Sequence, residues 1–294
     1  VDSYFGNVAI GSIAQDPDNP NDIYVGTGEG WLAGGIYRGD GIYKSDDGGI
    51  SWNRLAATFN QYAAIHDMLV NEGRVFAATI SDGLIVSDDG GQSWRKSLGN
   101  QVFAVTNRAA DIELASDGTL YVSMGLGSSQ DGVYRSDDNG DSWTWLEFPF
   151  SDYERIEIAV AHSDPNIIYA LAEDGESGDV KFVVRSFNRG EDWETITAPG
   201  SFNMDNFARS QAYYDLAMTI DPSDPERIYI GAIDILYTST GGGEGEWEQL
   251  SQWYGANEQF VHADQHRMIH ADTTGEKVIF ANDGGIWITE NGKS

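Results

Sequence analysis

The sequence predicts an all-β chain, a β-propeller of about six visible four-stranded blades. Three observations carry the prediction. An octapeptide of pattern S-x-D-x-G-x-S-W recurs along the chain. Its copies are spaced by roughly 40–50 residues, the length of one propeller blade. Between them lie short runs rich in Tyr, Ile, Val and Trp, punctuated by Gly, Asp, Asn and Pro, which is strand-and-turn chemistry. The 3.6-residue apolar period of helical repeats is missing.

In the first repeat, Ile10–Gln15 reads as a strand and Asp16–Asp22 as a turn. Ile23–Thr27 and Gly41–Ser45 are the second and third strands, and Ser51–Leu55 is the fourth. The second and third strands recur as Arg74–Thr79 with Gly83–Ser87, Thr119–Ser123 with Gly132–Ser136, and Ile167–Leu171 with Lys181–Ser186. Arg227–Gly231 with Ile235–Ser239 and Lys277–Ala281 with Gly285–Thr289 complete the set. The blades then run 1–60, 61–101, 102–150, 151–200, 201–255 and an incomplete 256–294, as one propeller domain. The sixth octapeptide, Thr289–Ser294, stops before its Trp. That predicts a longer multi-domain chain.

The octapeptide has a physical account at each repeated position. Ser45, Asp47, Gly49 and Trp52 define the first copy, followed by Ser87, Asp89, Gly91 and Trp94. Ser136, Asp138, Gly140 and Trp143 form the third, and Ser186, Asn188, Gly190 and Trp193 a looser fourth. The fifth runs from Ser239 to Trp247 with one extra residue. An acid after the third strand accepts backbone N–H groups and closes the turn. The glycine supplies positive φ. The Trp seals the fourth strand to its blade. These acids therefore read as turn-formers rather than as a catalytic or calcium motif.

Charge and composition narrow the function. The net charge is −30, from 47 acidic against 17 basic residues. That argues against a nucleic-acid partner, which needs a basic footprint, and against anionic membrane surfaces. No apolar run approaches the ~20 residues of a membrane span. The chain has no cysteine, so neither disulfides nor thiol chemistry enters.

The octapeptides and their spacing resemble the Asp-box (bacterial neuraminidase repeat) superfamily of β-propellers, and the resemblance covers nearly the whole chain. Xyloglucanase-type enzymes and sortilin-type receptors are relatives within it. The run 16–27, with Val261–His266 and Asn282–Trp287, is similar to secreted or surface bacterial proteins labelled glycosyl hydrolase. The resemblance implies an extracellular or cell-surface setting. The early Arg-Ile-Pro of sialidases is absent. Ile279–Trp287 is similar to the xyloglucanase run that carries a catalytic acid just after a second strand. On that resemblance Asp283 is a candidate acid or base. Glu29, in Thr27–Gly30, is the looser counterpart, and a turn role is the alternative for both.

Other residues stand outside the repeat. His262, Asp264 and His266 alternate, which on a strand places them on one face. Two His and a carboxylate suit a transition metal with an open position; a hydrogen-bonded buried network is the other reading. Asp16–Asp22 resembles an oxygen-rich calcium loop, though the similar Asp221–Glu226 argues for a generic turn. Trp31, Trp253, Tyr254, Phe202 and Phe207 sit in long loops, where aromatic rings dock sugars or partner chains or cover the channel ends. The leading expectation is a secreted or cell-surface module that binds a glycan or protein through these loops. A glycoside hydrolase using Asp283 and Glu29 is the alternative.

Overall fold

The structure is a computed structural model that describes residues 5–6, 8–31, 35–99, 108–125, 131–148, 150–196, 207–242, 247–255 and 258–293. All of its regular structure is antiparallel β, apart from one 3₁₀ turn at Ala56–Thr58. No helix among the described residues is long and apolar enough to cross a membrane.

Each sheet is a meander of the blade type. The first holds β1 (Ile10–Gln15), β2 (Ile23–Thr27), β3 (Ile42–Ser45) and β4 (Asn53–Arg54). The second holds β5 (Ile65–Asn71), β6 (Arg74–Thr79), β7 (Gly83–Ser87) and β8 (Arg95–Leu98), and the third β9 (Arg108–Leu114), β10 (Leu120–Gly125), β11 (Gly132–Ser136) and β12 (Thr144–Leu146). The fourth holds β13 (Tyr153–Val160), β14 (Ile168–Asp174), β15 (Val180–Ser186) and β16 (Glu194–Thr195). The fifth holds β17 (Ala217–Ile220), β18 (Ile228–Gly231), β19 (Ile235–Thr238) and β20 (Glu248–Gln249). The sixth has three strands among the described residues: β21 (Gln265–His270), β22 (Val278–Asn282) and β23 (Gly285–Thr289). The six predicted blades are thus present as a β-propeller fold, and the predicted second and third strands agree with the observed ones to within three residues. The fourth strand of the first blade, Asn53–Arg54, is shorter than the predicted Ser51–Leu55.

The chain divides into two compact units, residues 1–114 with 118–145, and 115–117 with 146–294. Within each unit the first strands of successive blades lie side by side, β1 against β5 and β5 against β9, then β13 against β17 and β17 against β21. The core lies between neighbouring blades. Tyr24 and Ile42 of the first blade pack with Ile65, Met68 and Val75 of the second. Tyr229 and Tyr237 of the fifth pack with Met268, Val278 and Phe280 of the sixth. Alternation along each strand gives both faces of an inner blade a neighbour, so β6, β7 and β14 are buried almost throughout.

The octapeptide turns close as their chemistry predicts. Ser87 Oγ donates to Asp89 Oδ1 at 2.8 Å and accepts the Gly91 N–H at 2.7 Å. Asp89 Oδ1 accepts the Ser93 N–H at 2.9 Å, and its Oδ2 accepts the Ser93 hydroxyl at 2.6 Å. The first and third copies repeat this pattern. Those donors, the Ser hydroxyl first, pull Asp47, Asp89 and Asp138 down to about 2. The fourth copy exchanges the chemistry: Asn188 Nδ2 donates to Asp192 Oδ2 at 2.9 Å, while Asn188 Oδ1 still accepts the Asp192 N–H. The fifth copy is shifted by one from its predicted start, because Thr238, not Ser239, ends β19 and caps Thr240.

The repeated glycine does more than adopt positive φ. A Cβ on Gly91 would lie 2.4 Å from Leu55 Cδ1 of the preceding blade. Gly140 meets Phe76 at 2.6 Å, Gly190 meets Leu146 at 2.4 Å and Gly242 meets Ile196 at 2.4 Å in the same way. Gly49, in the first blade, meets nothing nearer than 3.7 Å among the described residues.

Two outcomes follow from these turns. Gly91→Ala should destabilise the fold by roughly 1–3 kcal/mol through overpacking and φ strain. Gly49→Ala carries only the strain, so its urea midpoint should fall less; equal losses would remove the inter-blade role. The depressed carboxylates stabilise the fold fully above the unfolded value near ~3.9. That contribution is lost as pH falls through about 2. The urea midpoint should therefore drop between pH 4 and pH 2, and drop less in the triple variant Ser51→Ala, Ser93→Ala, Ser142→Ala.

Candidate functional site

Asp283 stands at the tip of a two-residue hairpin. Asn282 pairs with Gly285 as the last pair of β22 and β23, which leaves Asp283-Gly284 as the turn. Gly285 adopts φ +117, and Asn282 Oδ1 accepts the Gly284 N–H at 3.0 Å. Below the turn, buried Asn282 donates to Gln265 Oε1 at 3.2 Å. Gln265 in turn donates its backbone N–H to the Ala232 carbonyl of the fifth blade at 2.8 Å. The position predicted for Asp283, directly after a second strand, is the observed one.

Two side chains converge on this carboxylate. Tyr214 Oη donates to Asp283 Oδ1 at 3.0 Å and approaches Oδ2 at 3.3 Å. His266 Nε2 lies 2.7 Å from Asp283 Oδ1. The Tyr214 and His266 rings meet edge to face, their centroids 4.8 Å apart. The three polar ends remain open to solvent, with 39% of the Asp283 side chain exposed.

A β-bulge puts His266 there. The pairing of β21 with β22 shifts between Gln265 and Arg267, so His266 has no partner across the ladder. Its side chain is re-aimed toward the hairpin. The predicted alternation of His262, Asp264 and His266 on one strand face therefore fails. β21 begins only at Gln265, and Asp264 adopts φ +66 just before it. Among the described residues no group of three or more His, Cys, Asp or Glu is arranged to hold a metal ion. Asp264 feels both histidines and Asp283, His266 Nε2 bonds Asp283, and His262 is exposed.

Asp264 and Asp215 extend the cluster inward. Burial raises Asp264, and the neighbouring Asp283 charge raises it further, against an opposing pull from His266 and His262. Asp215 is fully buried, and neither carboxylate oxygen meets a hydrogen-bond partner. Burial first, then Asp264, push it up to about 8, while Arg155 pulls down. Asp215 thus keeps a proton at neutral pH. The row Asp215–Asp264–Asp283 runs from the buried interior to the surface and holds fewer charges than carboxyls.

The other predicted residues separate by environment. Glu29 accepts the Trp31 N–H at 2.7 Å, and its backbone bridges Tyr37. Trp31 is half-buried and stacks on His66 at 4.0 Å. Trp253 and Tyr254 are exposed and pack edge to face at 5.4 Å. Phe207 is not an exposed binding aromatic: it is 4% exposed, because its ring joins the apolar core of the fourth and fifth blades. Phe202 lies outside the described residues. The calcium-like loop closes on itself, with Asp16 Oδ1 accepting the Asp18 and Asn19 N–H groups and Asp22 paired to Lys44 at 2.7 Å. Tyr214, Asp215 and Arg155 went unseen in the sequence, since no motif marks them.

Comparison with known structures follows the fold. A GH74 enzyme from Niastella koreensis superposes with a TM-score of 0.69 at 19% identity, over 97% of this chain and 46% of that one. A structure of YCF48 bound to D1 peptide gives 0.61 at 12% identity, over 97% of this chain and 79% of that one. The gluconolactonase XC5397 from Xanthomonas campestris gives 0.60 at 12% identity, over 98% and 88%. The likeness is one of propeller fold, and this chain spans about half of the GH74 enzyme's length. No family model matches the chain, and no curated protein matches it in sequence.

Asp215 gives a test of the cluster by stability. A raised carboxyl favours the fold fully below the unfolded value near ~3.9, and that advantage is lost as pH rises through about 8. Asp215→Asn should be close to neutral in urea unfolding at pH 4 and stabilising by about 2–5 kcal/mol at pH 8. A pH-independent difference would mean that Asp215 ionises freely.

Proposed function

We propose that the chain is a glycan-directed propeller that hydrolyses glycosidic bonds at the Asp283 cluster. One observation carries this reading: an exposed carboxylate is oriented by two side-chain donors, and a second carboxyl held toward its protonated form stands behind it. Carboxyls that differ in their hold on a proton suit acid–base chemistry, of which glycoside hydrolysis is one case. In this reading Asp283 draws a proton from the attacking water, Asp264, within hydrogen-bond reach of it, tunes its charge, and the general acid is a carboxyl set farther off. Tyr214 and His266 hold Asp283 in place. The Glu29 carboxylate is engaged by the Trp31 N–H of its own loop.

The exposed Trp253–Tyr254 pair favours a glycan over other substrates, since paired aromatic faces stack on sugar rings. The same pair is what a binding-only module would use, for a sugar or for a protein as in the peptide-bound propeller. The octapeptide turn geometry supports membership of the Asp-box superfamily, and an extracellular or cell-surface setting accords with a polysaccharide substrate.

Reducing-sugar release from a panel of β-linked polysaccharides tests the proposal. Turnover should appear on at least one, and Asp283→Asn should lower kcat by roughly 10²–10⁴-fold without a change in unfolding midpoint. Retention on a polysaccharide with no turnover would move the assignment to binding.

A further inference from the structure

We propose that Arg155 is a positioning residue for this cluster: its buried guanidinium fixes the backbone from which Tyr214 reaches Asp283 and Asp215 faces Asp264. The inference rests on the reading of Asp283 as the working carboxylate.

The loop that carries Tyr214 and Asp215 belongs to no strand. Its backbone must find partners elsewhere. Gln211 O accepts the N–H groups of Tyr214 and Asp215 at 2.7 and 3.1 Å. The outward carbonyls are gathered by one side chain. Arg155 Nη1 donates to Tyr214 O at 2.6 Å and Tyr213 O at 3.3 Å, and its Nη2 donates to Leu216 O at 2.8 Å. The planar fork thus reads three carbonyls of residues 213–216 at once.

Arg155 is itself immobilised. Its Nε and Nη2 both donate to Glu157 Oε1, at 3.0 and 2.6 Å, and its backbone N–H donates to Glu173 Oε2 at 3.2 Å. Only 4% of the Arg155 side chain is exposed. A tie between first strands does not require such a device. In the second blade Asp67 accepts Ser12 Oγ of the first blade and the Ile112 N–H of the third directly. The arginine appears where the segment to be held is a loop with a function at its tip. That loop also holds two successive non-glycine residues at positive φ, Arg209 at +47° and Ser210 at +60°. There Asp179 Oδ1 accepts the Ser210 N–H at 2.6 Å, and Arg155 holds the segment that follows.

Two substitutions separate geometry from charge. Arg155→Lys keeps the charge and loses the fork. With the protein folded, kcat should fall roughly 10-fold or more, as for a misplacement of about 1 Å, with KM within about twofold. Adding Tyr214→Phe should lower kcat little further, since both changes act through one contact. Arg155→Met also removes the charge that restrains Asp215, so the ¹³C-carboxyl titration of Asp215 should move upward from about 8. Should Arg155→Lys fail to fold, Glu157→Gln replaces it, and the same loss of kcat is expected. A folded Arg155→Lys with the wild-type kcat and pH profile overturns the inference, as does a fully additive double variant. If the wild type cleaves no polysaccharide, the hydrolase reading fails by itself. The titration then decides the clamp: an unmoved Asp215 signal in Arg155→Met overturns it.

Discussion

A four-stranded sheet has two apolar faces and cannot cover either by itself. Every other feature of this chain answers that constraint. The blades are covered by their neighbours within each unit, so the dense contacts lie between repeats rather than inside them. The octapeptide glycine sits at this junction. In the second to fifth copies it is the point where a side chain of one blade enters the turn of the next, and where a single methyl group would already collide.

The inner strands show how regular repeats are made to carry irregular chemistry. β1, β5, β13 and β21 each slip register near one end. In β5 and β21 the unpaired residue is a histidine. His66 turns to stack on Trp31, and His266 turns to meet Asp283. A bulge is a local event in the ladder, yet it changes which face a side chain serves. The site described here combines one bulge, one hairpin tip and one loop pinned from outside, and of these the histidine bulge recurs in β5.

That combination explains what could be read in the sequence. Strands and turns were legible because their signal is local and written several times. Asp283 was singled out through the resemblance of Ile279–Trp287 to a xyloglucanase run, and it stands at the tip of an Asp-Gly hairpin. The His262–Asp264–His266 alternation misled, because a period of two holds only on an unbroken strand, and Asp264 at φ +66 breaks it. Phe207 misled for another reason: a long loop can be folded back into the core, and composition does not say which of its rings are covered. Tyr214, Asp215 and Arg155 are single residues joined only by tertiary approach, which leaves no periodic trace.

The exchange in the fourth turn has a wider consequence. Where the first three copies set an acid against a hydroxyl, this one sets an amide against an acid, and the bond between the two side chains survives with its direction reversed. What the repeat preserves is therefore a complementarity of two positions, not a spelling. A search written in letters loses such copies as the alphabet drifts. One written as a donor opposite an acceptor, four residues apart behind a strand-ending hydroxyl, would still find Asn188 and Asp192, and would recognise blades in chains whose Asp and Ser have both gone.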